Sequence, residues 1–193
     1  MNRELNSQRD LRRLIGIVAM ALPFLCLAVA GMQDSVSAYY HTRASDLFVG
    51  SLIAAGAFLL TYRGYDDTDR WLALAAGICA ILVALLPVGS PADPLARVGF
   101  LDLSPGLSWI LHTVAAAILF LILAWMALFQ FTKGNSGTDN KKKRNRIYRY
   151  CGVLMLMGMV VVPFAIWLAE TIMLTAFGVA WLVKGETLFI DSV

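Results

Sequence analysis

Lys and Arg alternate with the apolar runs of this chain, and that alternation constrains the fold more than any motif does. Runs long enough to cross a bilayer, about 17–25 residues each, cover 14–31, 46–62, 71–87 and 107–131, and a longer one covers 148–183. Arg3, Arg9, Arg12 and Arg13 precede the first run, and Arg63 and Arg70 separate the second from the third. Lys133, Lys141, Lys142, Lys143, Arg144, Arg146 and Arg149 follow the fourth, and Lys184 follows the last. Only Arg43 and Arg97 lie in the intervening loops. Cytoplasmic loops retain Lys and Arg, so the pattern predicts an N-in, C-in topology with the Lys141–Arg149 cluster in the cytoplasm.

The last run is too long for one span. As a single helix it would measure roughly 54 Å at 1.5 Å per residue, against a hydrocarbon core of about 30 Å. Pro163 resists a helix interior and Trp167 favours an interface, which suggests two short spans, 148–164 and 167–183. A single broken or re-entrant helix is the alternative, but it would place Lys184 outside. The expectation is an all-α integral membrane bundle of six transmembrane helices forming one domain over 1–193. A flexible basic cytoplasmic loop is expected over 132–146.

Composition agrees with a bilayer as solvent. The chain is 59% hydrophobic and 15% charged, more apolar than one soluble core can bury. A net charge of +3 gives no case for nucleic acid, because the basic residues flank apolar runs where orientation explains them. The expected contacts are membrane lipid, with anionic lipid at the basic loop. Small-residue faces at Gly50, Ala54 and Gly56 suit close helix packing, within the bundle, against a second copy, or against a partner membrane protein. Cys26, Cys79 and Cys151 sit singly in apolar runs and read as packing residues. Arg9, Arg12 and Arg13 before Leu14–Gly31 mimic a signal peptide, yet the run is long enough to span and is expected to stay as an anchor.

Few ionisable residues interrupt the spans, where each is costly. His112 falls near the outer end of the fourth span and Glu170 near the outer end of the last. On its own helix His112 faces Ser108 and Ala116, and Glu170 faces Ile166 and Leu174, so their partners must come from other helices or outer loops. The first outer loop offers Ser37 and His41, which share one face if Ser37–Thr42 is helical, followed by Asp46. His41, Asp46, His112 and Glu170, with Ser37, form a candidate polar or metal cluster near the outer leaflet. His41 and His112 are its candidate metal ligands, and a mixed nitrogen and oxygen set suits zinc. Zinc there can lower the pKa of a bound water to about 7. Each residue also has a structural reading. His112 can clamp two helices, His41 can be an ordinary loop residue, and Glu170 can be a neutral hydrogen-bond donor. Asp46 can cap a helix.

Two stretches, SAYYHTRASDLFVG (Ser37–Gly50) and Arg144–Glu186 with its AFGVAWLVKGE ending, resemble a group of small, largely uncharacterised bacterial polytopic membrane proteins. That resemblance implies a bacterial inner-membrane setting and no specific activity. Ser37-x-x-x-His41 also resembles the opening motif of the CREST membrane hydrolases, the superfamily of alkaline ceramidases and progestin/adipoQ receptors. The family's zinc site uses a Ser, an Asp and three His, and only Ser37, His41 and loosely Asp46 match it here. Its later His-x-x-x-His pair is absent, since Ala116 stands four residues after His112.

Three functions remain open. The first is a non-enzymatic sensing, lipid-binding or assembly module. The second is a metal-dependent membrane hydrolase acting on a lipid or amphiphile at the outer face. The third is a small cation or proton transporter or channel subunit.

Overall fold

The computed structural model describes residues 2–89, 101–134 and 137–187. Arg97 and its neighbours up to residue 100 lie outside the described residues. Among the described residues the chain is all-helical: α1 (Asn2–Ala30), α2 (Ser45–Thr61), α3 (Asp67–Leu85), α4 (Pro105–Trp125), α5 (Asp139–Val161) and α6 (Ile166–Lys184). A 3-10 turn at Ser37–His41 precedes α2, and a π turn at Met126–Gln130 prolongs α4. Four helical segments are long and apolar enough to cross a membrane, covering Ser7–Ala30, Asp67–Leu85, Pro105–Gln130 and Ile166–Lys184, and α2 is a shorter apolar helix.

Local chemistry sets the helix ends. Gly31, with φ +75°, follows α1 in the left-handed conformation that glycine accepts at a helix C-terminus. The Asp66 side chain caps α3 by accepting from the Asp69 N–H, and Pro105 opens α4, where its missing N–H costs nothing. Pro163 lies in the turn between α5 and α6. α1 also takes in the polar segment before Leu14. One expectation is corrected. The stretch expected as a flexible loop over 132–146 is helical from Asp139 onward. The Thr138 side chain caps that helix by accepting from the Lys141 N–H, and Lys142 pairs with Asp139 one turn apart.

Each helix packs on the next, and α6 returns to α1, so the six close into a ring. α1 and α6 meet at two glycines. A Cβ on Gly178 would lie 2.6 Å from the Gly16 carbonyl oxygen, and one on Gly16 would lie 2.8 Å from the Gly178 oxygen. Gly56 and Gly77 bring α2 and α3 together in the same way. Two small adjoining cavities of about 30 Å³ each lie inside the ring, walled mainly by Leu22, Leu52, Leu119, Phe120 and Leu174. Below them Trp181, fully buried, is ringed by Phe58, Tyr62, Phe131 and Phe177 with centroids 4.9–6.0 Å away.

Polarity is inverted relative to a water-soluble bundle. Trp109, Val114, Leu121, Trp125, Val160 and Phe164 are exposed, while Ser108, His112, Asp69 and Lys184 are buried. A hydrocarbon solvent accounts for both halves of that pattern.

Backbone crowding at the glycine contacts leads to a contrast between two substitutions. Gly178→Leu should cost about 1–3 kcal/mol through forced separation of α1 and α6. It should lower the unfolding midpoint in detergent by several degrees. Gly50→Ala meets open space and should leave the midpoint unchanged or raise it. Equal effects of the two would contradict the close helix approach.

Candidate functional site

α3 reaches Leu85 and is stopped at Pro87, leaving successive carbonyls at Leu86, Pro87 and Val88 that no helical N–H reaches. Each accepts from a side chain. His112 Nδ1 lies 2.6 Å from Leu86 O, Ser108 Oγ donates to Pro87 O at 2.7 Å, and His41 Nε2 lies 2.6 Å from Val88 O. Ser108 and His112 are four residues apart on α4 and so share the face turned to α3. Carbonyls only accept, so His112 carries a hydrogen on Nδ1 and His41 carries one on Nε2.

The other ring nitrogen of His112 leads to the centre of the site. His112 Nε2 is 3.0 Å from Ser37 Oγ, which lies 3.1 Å from Glu170 Oε1. Glu170 Oε2 accepts from the Val36 N–H at 2.6 Å. The loop between α1 and α2, α4 and α6 thus converge on one buried hydroxyl: Ser37 is 6% exposed and His112 4%. The loop is fastened independently by fully buried Tyr39, whose hydroxyl donates to Gly31 O at 2.9 Å and accepts from Trp167 Nε1 at 3.3 Å. Burial holds the Tyr39 phenol above its ordinary pKa, so it remains a neutral donor.

Proton counting constrains this chain of contacts. A serine hydroxyl has one hydrogen to donate, yet Ser37 Oγ has a partner on each side. One arrangement has a protonated Glu170 donating to Ser37 while Ser37 donates to His112 Nε2. The other has an imidazolium donating to Ser37 while Ser37 donates to the carboxylate. Both arrangements carry one proton more than a carboxylate beside a neutral imidazole, and both leave the three side chains without net charge. That neutrality suits a site where Ser37 and His112 are buried and Glu170 is half-buried.

The five candidate residues separate into two groups. Ser37, His112 and Glu170 come together, whereas His41 and Asp46 take other positions. The reason lies in the turn. Ser37–His41 is 3-10 rather than α-helical, and at 3.0 residues per turn, residues four apart point about 120° away from each other. Ser37 therefore faces the interior while His41 turns to Val88 and stacks edge-on against Tyr40. Asp46 lies in the first turn of α2 without capping it; α2 follows Ala44, which makes no side-chain cap. It is exposed and lines a separate open pocket with Tyr40, Ser45, Val49 and Gly50. Among the described residues no three His, Cys, Asp or Glu side chains come together to hold a metal ion. The donor set does not fit zinc, since one partner of His112 is a serine and the other a backbone carbonyl.

Sequence reasoning missed Ser108 as a member of the site, although its i, i+4 spacing from His112 was the available signal. It also missed the carbonyls of residues 86–88, for which Pro87 was the signal. Compared with protein-family models, curated proteins and solved structures, the chain finds no match in any of the three.

The proton count leads to a test that depends on chemistry as well as size. Glu170→Gln keeps an acceptor for Val36 N–H and supplies an N–H donor to Ser37, so it should change stability by less than about 1 kcal/mol. Glu170→Ala, Ser37→Ala and His112→Ala should each cost about 1–3 kcal/mol by stranding buried polar groups. The Ser37→Ala and His112→Ala effects should couple by about 0.5–3 kcal/mol in a double-mutant cycle. Denaturation in detergent measures all four; Glu170→Gln as damaging as Glu170→Ala would refute the shared proton.

Proposed function

We propose that this protein is a non-enzymatic integral membrane module of six spans, a sensing or assembly element whose outer end is held by a proton-sharing polar clamp. In this reading both termini lie in the cytoplasm of a bacterial inner membrane, and Ser37, His112 and Glu170 sit near the outer leaflet. One observation carries the proposal. The serine hydroxyl, both ring nitrogens and both carboxyl oxygens are engaged by one another or by backbone groups. The adjoining cavity, about 30 Å³, has room for one or two waters and none for a substrate.

A sensing role follows from the extra proton. Removing it leaves one of the two Ser37 contacts without a hydrogen, so the junction of the loop, α4 and α6 responds to protonation. A transporter reading has less support, because the cavities below the clamp are walled almost wholly by apolar side chains.

The orientation is tested with single cysteines, since native Cys26, Cys79 and Cys151 are buried. Intact cells treated with a membrane-impermeant maleimide should label Met32→Cys, which is well exposed beyond α1. Asp139→Cys should label only after permeabilisation. The reverse pattern would overturn the N-in, C-in topology.

The hydrolase reading has one observation in its favour, the 3.0 Å contact between Ser37 Oγ and His112 Nε2, the geometry of a nucleophile beside its base. A fluorophosphonate probe distinguishes the two. The clamp predicts no adduct on Ser37 in folded protein, and labelling of wild type that disappears in both Ser37→Ala and His112→Ala would establish the enzyme instead.

A further inference from the structure

At the end opposite the clamp, Arg12 and Arg63 both line an open groove between the N-terminal part of α1 and the C-terminal end of α2. Ser7, Gln8, Leu11 and Arg12 contribute from α1, and Phe58 and Arg63 are among the residues on the other side, around a cavity of about 620 Å³. That volume is within the roughly 300–1,000 Å³ typical of small-ligand sites.

The charges around the groove are unevenly neutralised. Arg9 pairs with Glu186 at 2.9 Å, and Arg13 contacts Asp10 at 3.3 Å and the carbonyls of Gly185 and Glu186. Lys133 pairs with Asp66 at 2.6 Å. Among the described residues no carboxylate pairs with Arg12 or Arg63. Arg12 is instead positioned over the Tyr62 ring, 5.6 Å from its centroid. At that distance the contact is a cation–π one, and a guanidinium without a carboxylate partner keeps the planar fork that suits bidentate capture of a phosphate.

The groove is also amphipathic along its length. Arg63 and the Ser7 and Gln8 side chains give polar donors at one end. Leu11 is 46% exposed, and Leu14, one turn further along the same face of α1, is 54% exposed. Thr61 contributes no donor, because its hydroxyl is already given to Phe58 O. A ligand that complements this surface has an anionic head beside an apolar chain.

We propose that this groove binds an anionic phospholipid, with Arg12 and Arg63 on the headgroup phosphate, Ser7 and Gln8 on its polar substituent, and an acyl chain along Leu11, Leu14 and Phe58. The site rests on the bilayer reading of the bundle and is independent of the clamp. It differs from general attraction of anionic lipid to the basic start of α5, which follows charge number and has no defined pocket.

The test uses delipidated full-length protein in neutral detergent and follows its unfolding midpoint. Dioleoyl phosphatidylglycerol should raise the midpoint by about 5 °C, as ligands that bind only the folded state do, and dioleoyl phosphatidylcholine should not. The rise should disappear in the Arg12→Gln/Arg63→Gln double variant and persist in the Lys141→Gln/Lys142→Gln/Lys143→Gln triple variant. Arg63→Gln alone, an exposed change, should reduce the rise at an unaltered starting midpoint, which guards against misfolding of the double variant. An equal rise from inorganic phosphate would assign the groove to a soluble anion and overturn the lipid. A rise retained in the double variant, or lost in the lysine variant instead, would overturn the site. Neither result depends on maleimide labelling, so failure here is distinguishable from failure of the topology.

Discussion

Backbone carbonyls that a helix leaves behind at its end are the constraint on which the rest of this structure depends. In water such groups cost little, but in a bilayer each must find a donor within the protein. α3 stops at Pro87 while still surrounded by other helices, and three successive carbonyls then need partners. His112, Ser108 and His41 supply them. The same solution recurs at the other end of the bundle, where Arg13 on α1 donates to the carbonyls of Gly185 and Glu186 beyond the end of α6. Polar side chains in this chain are placed first by backbone demand. A chemical role must be argued over that requirement.

Glu170 illustrates the same economy from the donor side. The loop entering the 3-10 turn presents the Val36 N–H to the interior, and Glu170 Oε2 accepts it. Once a carboxyl group is buried for that purpose, its second oxygen also needs a partner, and Ser37 provides it. His112, brought in to satisfy Leu86, completes the chain. Two backbone requirements on different elements thus meet at one hydroxyl, whose two contacts are both hydrogen bonds only when the three side chains share one more proton. The clamp ties α3, α4, α6 and the first loop together, which are elements whose ends come from distant parts of the sequence.

Much of the bundle was legible from hydropathy because a bilayer rewards long apolar runs whatever the tertiary detail. The starts of α2 and α6 could be read this way, and Pro163 marked the separation of α5 from α6. The start of α5 was not legible, because a run such as Lys141–Arg146 has the composition of a solvated loop and still makes a helix once Thr138 caps it. For the site, the lack of same-helix partners for His112 and Glu170 pointed correctly to other elements. Spacing misled at His41, since the distinction between an α and a 3-10 turn rotates its side chain away and does not register in periodicity. Asp46 misled because an acidic residue at the start of a helix is compatible with several roles.

The distribution of polarity along the bundle weighs most heavily on function. The clamp closes one end of the ring, and Trp181 with its aromatic neighbours fills the other. Between them, among the described residues, lie small cavities walled mainly by apolar side chains. A hydrolase at the clamp needs an opening for substrate larger than the cavity of about 30 Å³ that Ser37 and Glu170 line. Sensing needs no such opening, because a proton can reach a buried hydrogen-bond chain through a single water and alter the stability of the junction without any larger ligand entering.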